Sequence, residues 1–322
     1  MTSNIERSNA GNEREPALVT EQRLELTAGD AELELSRQGG CVTAFRWHRD
    51  GRSIDWMRPA PPGADFAPTD TACFPLVPYS NRIREGRFSF DGEGYQLAAN
   101  FPPERHAIHG HGWQNRWRVD NQTADAVTLV FDYPADSDGN GSDWPSSYRA
   151  EQRFELSAQD LMVEIAVSNT GARAMPAGLG LHPYFPRTPE CRLTAVIGRM
   201  WESDAEVMPA KLVVPPPDRD PGRGIQPAKA GLDNCFIDFG GRADIEWPEW
   251  GAKLTITSEA VLGFLVVYTP PGEGFFCVEP VSAMTDAVNL AQQGRHDSGF
   301  RSLSPGERFA ARTVFTPHLE AD

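Results

Sequence analysis

Glycine and proline constrain this chain more than any other feature: 29 glycines and 27 prolines are spread along all 322 residues. Breakers at that density leave little room for long helices and favour short strands joined by many turns. The segments between them agree. In LMVEIAV the apolar Leu161, Val163, Ile165 and Val167 alternate with outward positions, as a sheet with one dominant buried face requires. VTLVFDY repeats the pattern with Val127, Leu129, Phe131 and Tyr133. GRFSFDGEGYQL carries Asp91 and Gly92 between aromatic-bearing flanks, a favoured hairpin connection, and YRAEQRFELSAQDLMVEIAVSNTG reads as a second hairpin turning near Ala158 to Asp160. Strands follow strands without the helices that parallel crossovers need. The expected class is therefore all-β, a large antiparallel β-sandwich.

Residues 1–22 are polar and charged with no apolar run, and read as a flexible tail rather than a secretory signal. Residues 23–322 read as a single β-sandwich catalytic domain. The proline-rich VVPPPDRDPGRGIQP, 213–227, is the best linker candidate, but the strand pattern resumes beyond it, which makes it a long loop within that domain. The formal charge of -15, from 30 Lys and Arg against 45 Asp and Glu, repels phosphate backbones and anionic membranes, so neither nucleic acid nor membrane is an expected partner. The longest apolar stretch, VLGFLVVY, falls far short of the roughly 20 residues of a membrane span, and the expected compartment is the cytoplasm. Five cysteines without a CxxC spacing read as reduced thiols; Cys73, Cys235 and Cys277 each adjoin a phenylalanine and are assigned to core packing.

One acidic residue does not fit a passive reading. Glu279, in CVEPVSAMTDAVN, follows an apolar run and precedes a proline, so its strand looks buried on both faces, where an unpaired charge is costly. It requires partners or a task. Histidines are clustered too: His106, His109 and His111 fall within ERHAIHGHGWQNRW. No carboxylate follows closely after His109 and His111, so the spacing is weak evidence for a metal, and no metal site is expected. Three further stretches, PYSNRIREGRF, GLGLHPYFPR and GLDNCFIDF, also set a strong polar group beside glycine, proline or aromatics. Singly, the plain readings are favoured: Arg82 bridging a surface acid, His182 satisfied in the core, Asp233 capping a turn, Trp113 and Trp117 packed inside.

Together the five stretches, in this order over roughly residues 75 to 290, resemble the aldose 1-epimerase (galactose mutarotase) family. NRIREGRF resembles its Asn-Arg-Ile and Gly-Arg-Phe segment, AIHGHGW its Leu-His-Gly-Gly, and HPYF its His-x-Tyr-Phe. GLDNCF resembles the segment with the substrate-binding Asp, and VEPVSAMTDAVN the one with the catalytic Glu. The resemblance implies a galactose mutarotase-like supersandwich, with Glu279 as general base, His182 as general acid, and Arg82, His109 and Asp233 binding sugar hydroxyls. His111 stands where the family has a second glycine.

Interconverting pyranose anomers requires a proton removed from the C1 hydroxyl and one delivered to the ring oxygen; one base and one acid suffice, with no cofactor. On this reading Glu279 is ionised and His182 cationic at the same pH. The expected function is an isomerase acting on a neutral aldose, with a small-molecule sugar as partner and a monomer or homodimer as assembly. A glycoside hydrolase using Asp233 and Glu279 as its carboxylate pair, or a non-catalytic carbohydrate-binding domain, is the alternative.

Overall fold

The structure, a computed structural model, describes residues 23–49, 51–63, 67–134 and 144–319. Residues 1–22, expected as a tail, lie outside the described residues. Two sheets dominate, one of 11 strands and one of 8. Neighbouring strands in both run antiparallel. The alternation in LMVEIAV appears in strand Leu161–Asn169, whose Leu161, Val163, Ile165 and Val167 are buried. The Asp91-Gly92 turn joins Arg87–Phe90 to Glu93–Gln96, both turn residues having positive φ (50° and 80°), as a tight hairpin demands. The second hairpin pairs Tyr148–Leu156 with Leu161–Asn169.

Between strands Pro209–Val213 and Asp233–Phe236 the proline-rich segment forms two short 3-10 turns and one turn of helix, and the chain then re-enters the larger sheet. All five cysteines are buried free thiols. Among the described residues no helix is long and apolar enough to cross a membrane.

The centre of the larger sheet is buried on both faces, and side-chain alternation divides its residues between two clusters. Phe276, Val278, Leu265 and Val267 face the main core, which includes Val163, Ile165 and Phe315 from the smaller sheet. Phe74, Tyr184, Val266 and Cys277 face the other way, into a second cluster with Ile108 and Trp113. That second layer comes from the histidine-bearing loops. It explains why the strand leading to Glu279 reads as apolar throughout: one face meets the opposing sheet, the other meets loops.

Candidate active site

Antiparallel register sets the floor of the site. Phe74 pairs with His182, and Gly180 with Val281 and Tyr184 with Cys277, which sets His182 opposite Glu279. On its other side Glu279 pairs with Val266, and one strand further Asp233 pairs with Tyr268. Above this face opens a cavity of about 460 Å³ whose walls include Arg82, His109, His182, Asp233 and Glu279, all five residues singled out from the sequence. A larger depression of about 590 Å³, bounded by Thr123, Arg153 and Asp160 among others, contains none of them.

Glu279 and His182 are 2% and 7% exposed, and Glu279 Oε1 lies 3.3 Å from His182 Nε2. Burial, reinforced by the nearby Asp233 charge and opposed by Arg82, raises the Glu279 carboxyl well above its usual range. Burial also pushes His182 down to about 3, against its usual 6.5, and the Arg58 and Arg82 charges act in the same sense. The expectation that the carboxylate would make His182 cationic is therefore corrected. Desolvation penalises both charges more than their attraction returns, so the pair holds one proton and the neutral form is favoured. The imidazole packs against two near-parallel rings, Phe74 at 4.4 Å and 25° and Tyr184 at 4.7 Å and 24°. Its Nδ1 is buried without a hydrogen-bond partner.

The three clustered histidines separate. His109 lines the cavity, with φ of 63°. The Asn81 backbone N–H donates to its Nδ1 at 3.2 Å, so Nε2 carries the proton of the neutral ring. That leaves a donor for a sugar oxygen, and burial beside His182 and Arg82 lowers its pKa well below 6.5, keeping the ring neutral. His106 is buried elsewhere, its Nδ1 accepting from the Glu85 N–H. His111 stacks on Tyr133 at 4.4 Å and bonds the Tyr148 hydroxyl at 2.8 Å. The glycine the family has at this position is not required here, because His111 takes ordinary right-handed backbone angles (φ -107°, ψ -24°). Gly110 is the residue that must lack a side chain: its φ is 73°, and a Cβ would lie 2.2 Å from the Val77 carbonyl oxygen.

Arg82 bridges an acid, as its plain reading held, through Nε to Glu104 at 2.7 Å, yet it also lines the cavity. Asp233 begins its strand, and burial raises its carboxyl while Arg82 opposes the shift. Trp113 combines both readings, being 2% exposed, stacked on Phe74 at 5.3 Å and part of the cavity wall; Trp117 is core. Sequence reasoning missed Arg58. Its guanidinium sits 4.0 Å above the Tyr184 ring and donates to the Thr69 and Thr71 carbonyls at 2.5 and 2.7 Å. Nothing in DWMRPAPPG signals that placement, which depends on a distant strand.

His182, Cys277 and Glu279 offer an imidazole nitrogen, a thiol sulfur and a carboxylate oxygen within 4.8 Å of one another. Burial and the Glu279 charge raise the Cys277 thiol well above its usual range, which opposes the thiolate a metal would need. No such grouping is drawn from the loop histidines among the described residues.

Comparison with known proteins bears on the family and the fold. The family model described as Aldose 1-epimerase matches residues 22–316. Uncharacterized protein YphB of Escherichia coli (strain K12) is 31% identical over 290 residues, covering 88% of this chain and 94% of that one. The crystal structure of a candidate aldose 1-epimerase from Escherichia coli K12 superimposes with a TM-score of 0.82 at 27% identity, covering 92% of this chain and 99% of that one. A galactose mutarotase-like protein from Clostridium acetobutylicum gives a TM-score of 0.80 at 22% identity, covering 92% and 95%.

Proposed function

The chain belongs to the aldose 1-epimerase family, and from that premise we propose that it is an isomerase interconverting the α and β anomers of a neutral aldose. The observation that carries the reading is the His182–Glu279 contact of 3.3 Å on the floor of a cavity that also presents Arg82, His109 and Asp233. Glu279 takes the proton from the C1 hydroxyl while His182 delivers one to the ring oxygen, and the ring opens to the aldehyde. After rotation about C1–C2 the same groups act in reverse and close the ring on the other face.

The proton count fits this cycle. Ring opening starts from the charged form of the one-proton pair and leaves both groups neutral, the form that burial favours. Arg82 is the nearby charge that favours the Glu279 carboxylate needed at the start. Hydrogen bonds from Arg82 and His109, and to Asp233, hold the sugar so that proton transfer is unimolecular, and each transfer group contributes roughly 10²–10⁴ in rate.

Charge in the cavity supports a neutral sugar. Arg58 and Arg82 are outnumbered by Asp70, Asp233, Glu273 and Glu279. Of the other arginines near these motifs, Arg84 pairs with Asp204 and Glu206, Arg87 with Glu85, and Arg118 with Asp120. The test is anomer exchange by NMR on purified protein, comparing galactose, glucose, xylose and arabinose with glucose 6-phosphate, alongside aryl glycosides. Accelerated exchange of neutral sugars is the expected result. Preference for the phosphate overturns the substrate class, glycoside hydrolysis favours the hydrolase alternative, and sugar binding without exchange reduces the site to a binding module.

A further inference from the structure

Arg82 enters the cavity wall from a strand only two residues long, Arg82–Ile83, paired with Ala107–Ile108. So short a ladder fixes the Arg82 backbone but not its long side chain, which loses more rotamer freedom than most when it is ordered. Glu104 supplies the order. Its Oε2 accepts from Arg82 Nε at 2.7 Å, and its Oε1 accepts from the His106 N–H at 3.2 Å. The Glu104 backbone is tied as well, its N–H donating to the Phe101 carbonyl at 2.8 Å. Each carboxylate oxygen therefore has a partner of its own, one on a side chain and one on the backbone.

A guanidinium is planar, so a grip on Nε sets how the whole group lies. Arg82 Nη1 reaches the Asn81 side-chain oxygen only at 3.4 Å, and among the described residues Nη2 has no hydrogen-bond partner, which leaves donors for a sugar oxygen. Among the described residues the cavity wall contains Arg82 but not Glu104, so Glu104 reaches a bound sugar only through Arg82. The two side chains are 15% and 19% exposed, dry enough for their attraction to escape much of the screening that weakens surface pairs. Burial alone would raise the Glu104 carboxyl, but the bonds from Arg82 and the His106 N–H outweigh it and bring it below the usual carboxylate range, which keeps the grip charged at neutral pH. Arg82 in turn favours the carboxylates of Glu279 and Asp233.

We propose that Glu104 is a positioning residue of the reaction: by gripping Arg82 Nε it holds the guanidinium in the place from which its charge acts on Glu279 and its Nη groups donate to the sugar. The inference rests on the isomerase reading for the chemistry, and on the cavity alone for sugar binding. The ion pair that reads from the sequence as a plain structural contact becomes part of the machinery.

The experiment is a double-mutant cycle of Glu104→Ala and Arg82→Ala, read by anomer exchange and by calorimetry on whichever of galactose, glucose, xylose and arabinose binds most tightly. Glu104→Ala should lower kcat/KM by roughly 10- to 100-fold, the scale of a misplaced contact group. In Arg82→Ala protein the same substitution should cost less than about twofold, because nothing remains to be positioned. Glu104→Gln keeps one acceptor oxygen for Nε and should restore kcat/KM to within about fivefold of native. Both Glu104 variants lack the charge and differ in the grip, so the pH profile of Glu104→Ala should lie at higher pH than that of Glu104→Gln, the released cation no longer disfavouring protons on the His182–Glu279 pair. Should Glu104→Ala not fold, Glu104→Asp, which falls one methylene short of Nε, takes its place in the cycle. Equal losses with and without Arg82, or coincident pH profiles, overturn the proposal and leave Glu104 a structural contact. Calorimetry separates this from the isomerase reading: a loss of sugar affinity that depends on Arg82, in protein without any exchange, upholds the grip and removes the isomerase.

Discussion

Glu279 Oε1 and His182 Nε2 lie 3.3 Å apart across one step of the antiparallel register, both in the dry floor of the cavity. Two titratable groups in such contact, short of other partners, share a proton, and their titration belongs to the pair.

Glu279→Gln should lower kcat/KM by roughly 10²–10⁴ while leaving sugar affinity near normal, since the amide keeps the shape but cannot take a proton. Anomer exchange and calorimetry on the same preparation check this. Near-normal turnover in the variant sinks the assignment.

His182→Asn should cost a similar factor. If the two groups act as one unit, the double variant loses less than the product of the single losses. Multiplicative losses would instead show independent roles.

The pH profile of kcat/KM should be bell-shaped, with limbs set by the burial of the pair. His182, lowered to about 3, gains its proton only in acid, so the acid limb lies where the pair takes up a second proton. Glu279, raised well above 4.5, gives up its proton late, so the alkaline limb belongs to loss of the pair's single proton. Residual activity of His182→Asn should lose the alkaline limb and keep an acid one, set by protonation of the Glu279 carboxylate that acts as base. An alkaline limb unchanged in the variant would make another group the acid.

Glu279→Gln should also be more stable than the native sequence, and increasingly so with pH. The folded protein holds the Glu279 proton more tightly than the unfolded chain does. That contribution is full below the unfolded value near 4.5 and is lost as pH rises through the folded pKa. Removing the carboxyl should therefore raise the melting temperature, by more at mildly alkaline than at acid pH. Thermal melts from acid to mildly alkaline pH test this, and a stability difference that shrinks with pH contradicts it. His182 has the opposite sign: its folded pKa is depressed, so its penalty grows as pH falls below 6.5.

Activity should survive dialysis against a strong chelator, because the proposed chemistry is proton transfer between protein and sugar. Lasting inactivation reversed by zinc would reassign His182, Cys277 and Glu279 as ligands, and the rescue would be absent in Cys277→Ser.

By itself the sequence determined what is local. Breaker density and period-2 alternation imposed antiparallel sheets, because strand faces and tight turns depend on neighbours a few residues away. The five motifs named residues that the fold gathers around one cavity, and the cost of an idle buried charge marked Glu279. The family motif singled out His109 from His106 and His111, but the contacts that turn its ring inward, with the Asn81 N–H and with Phe74, lay beyond sequence. The protonation of the pair lay beyond it too. Proximity of His182 and Glu279 suggests an ion pair, but only the second layer of loops, by removing water from both groups, makes desolvation exceed their attraction. Arg58 was hidden for the same reason: it takes its place from a strand distant in the chain, brought beside it only by the packing of the sheet face.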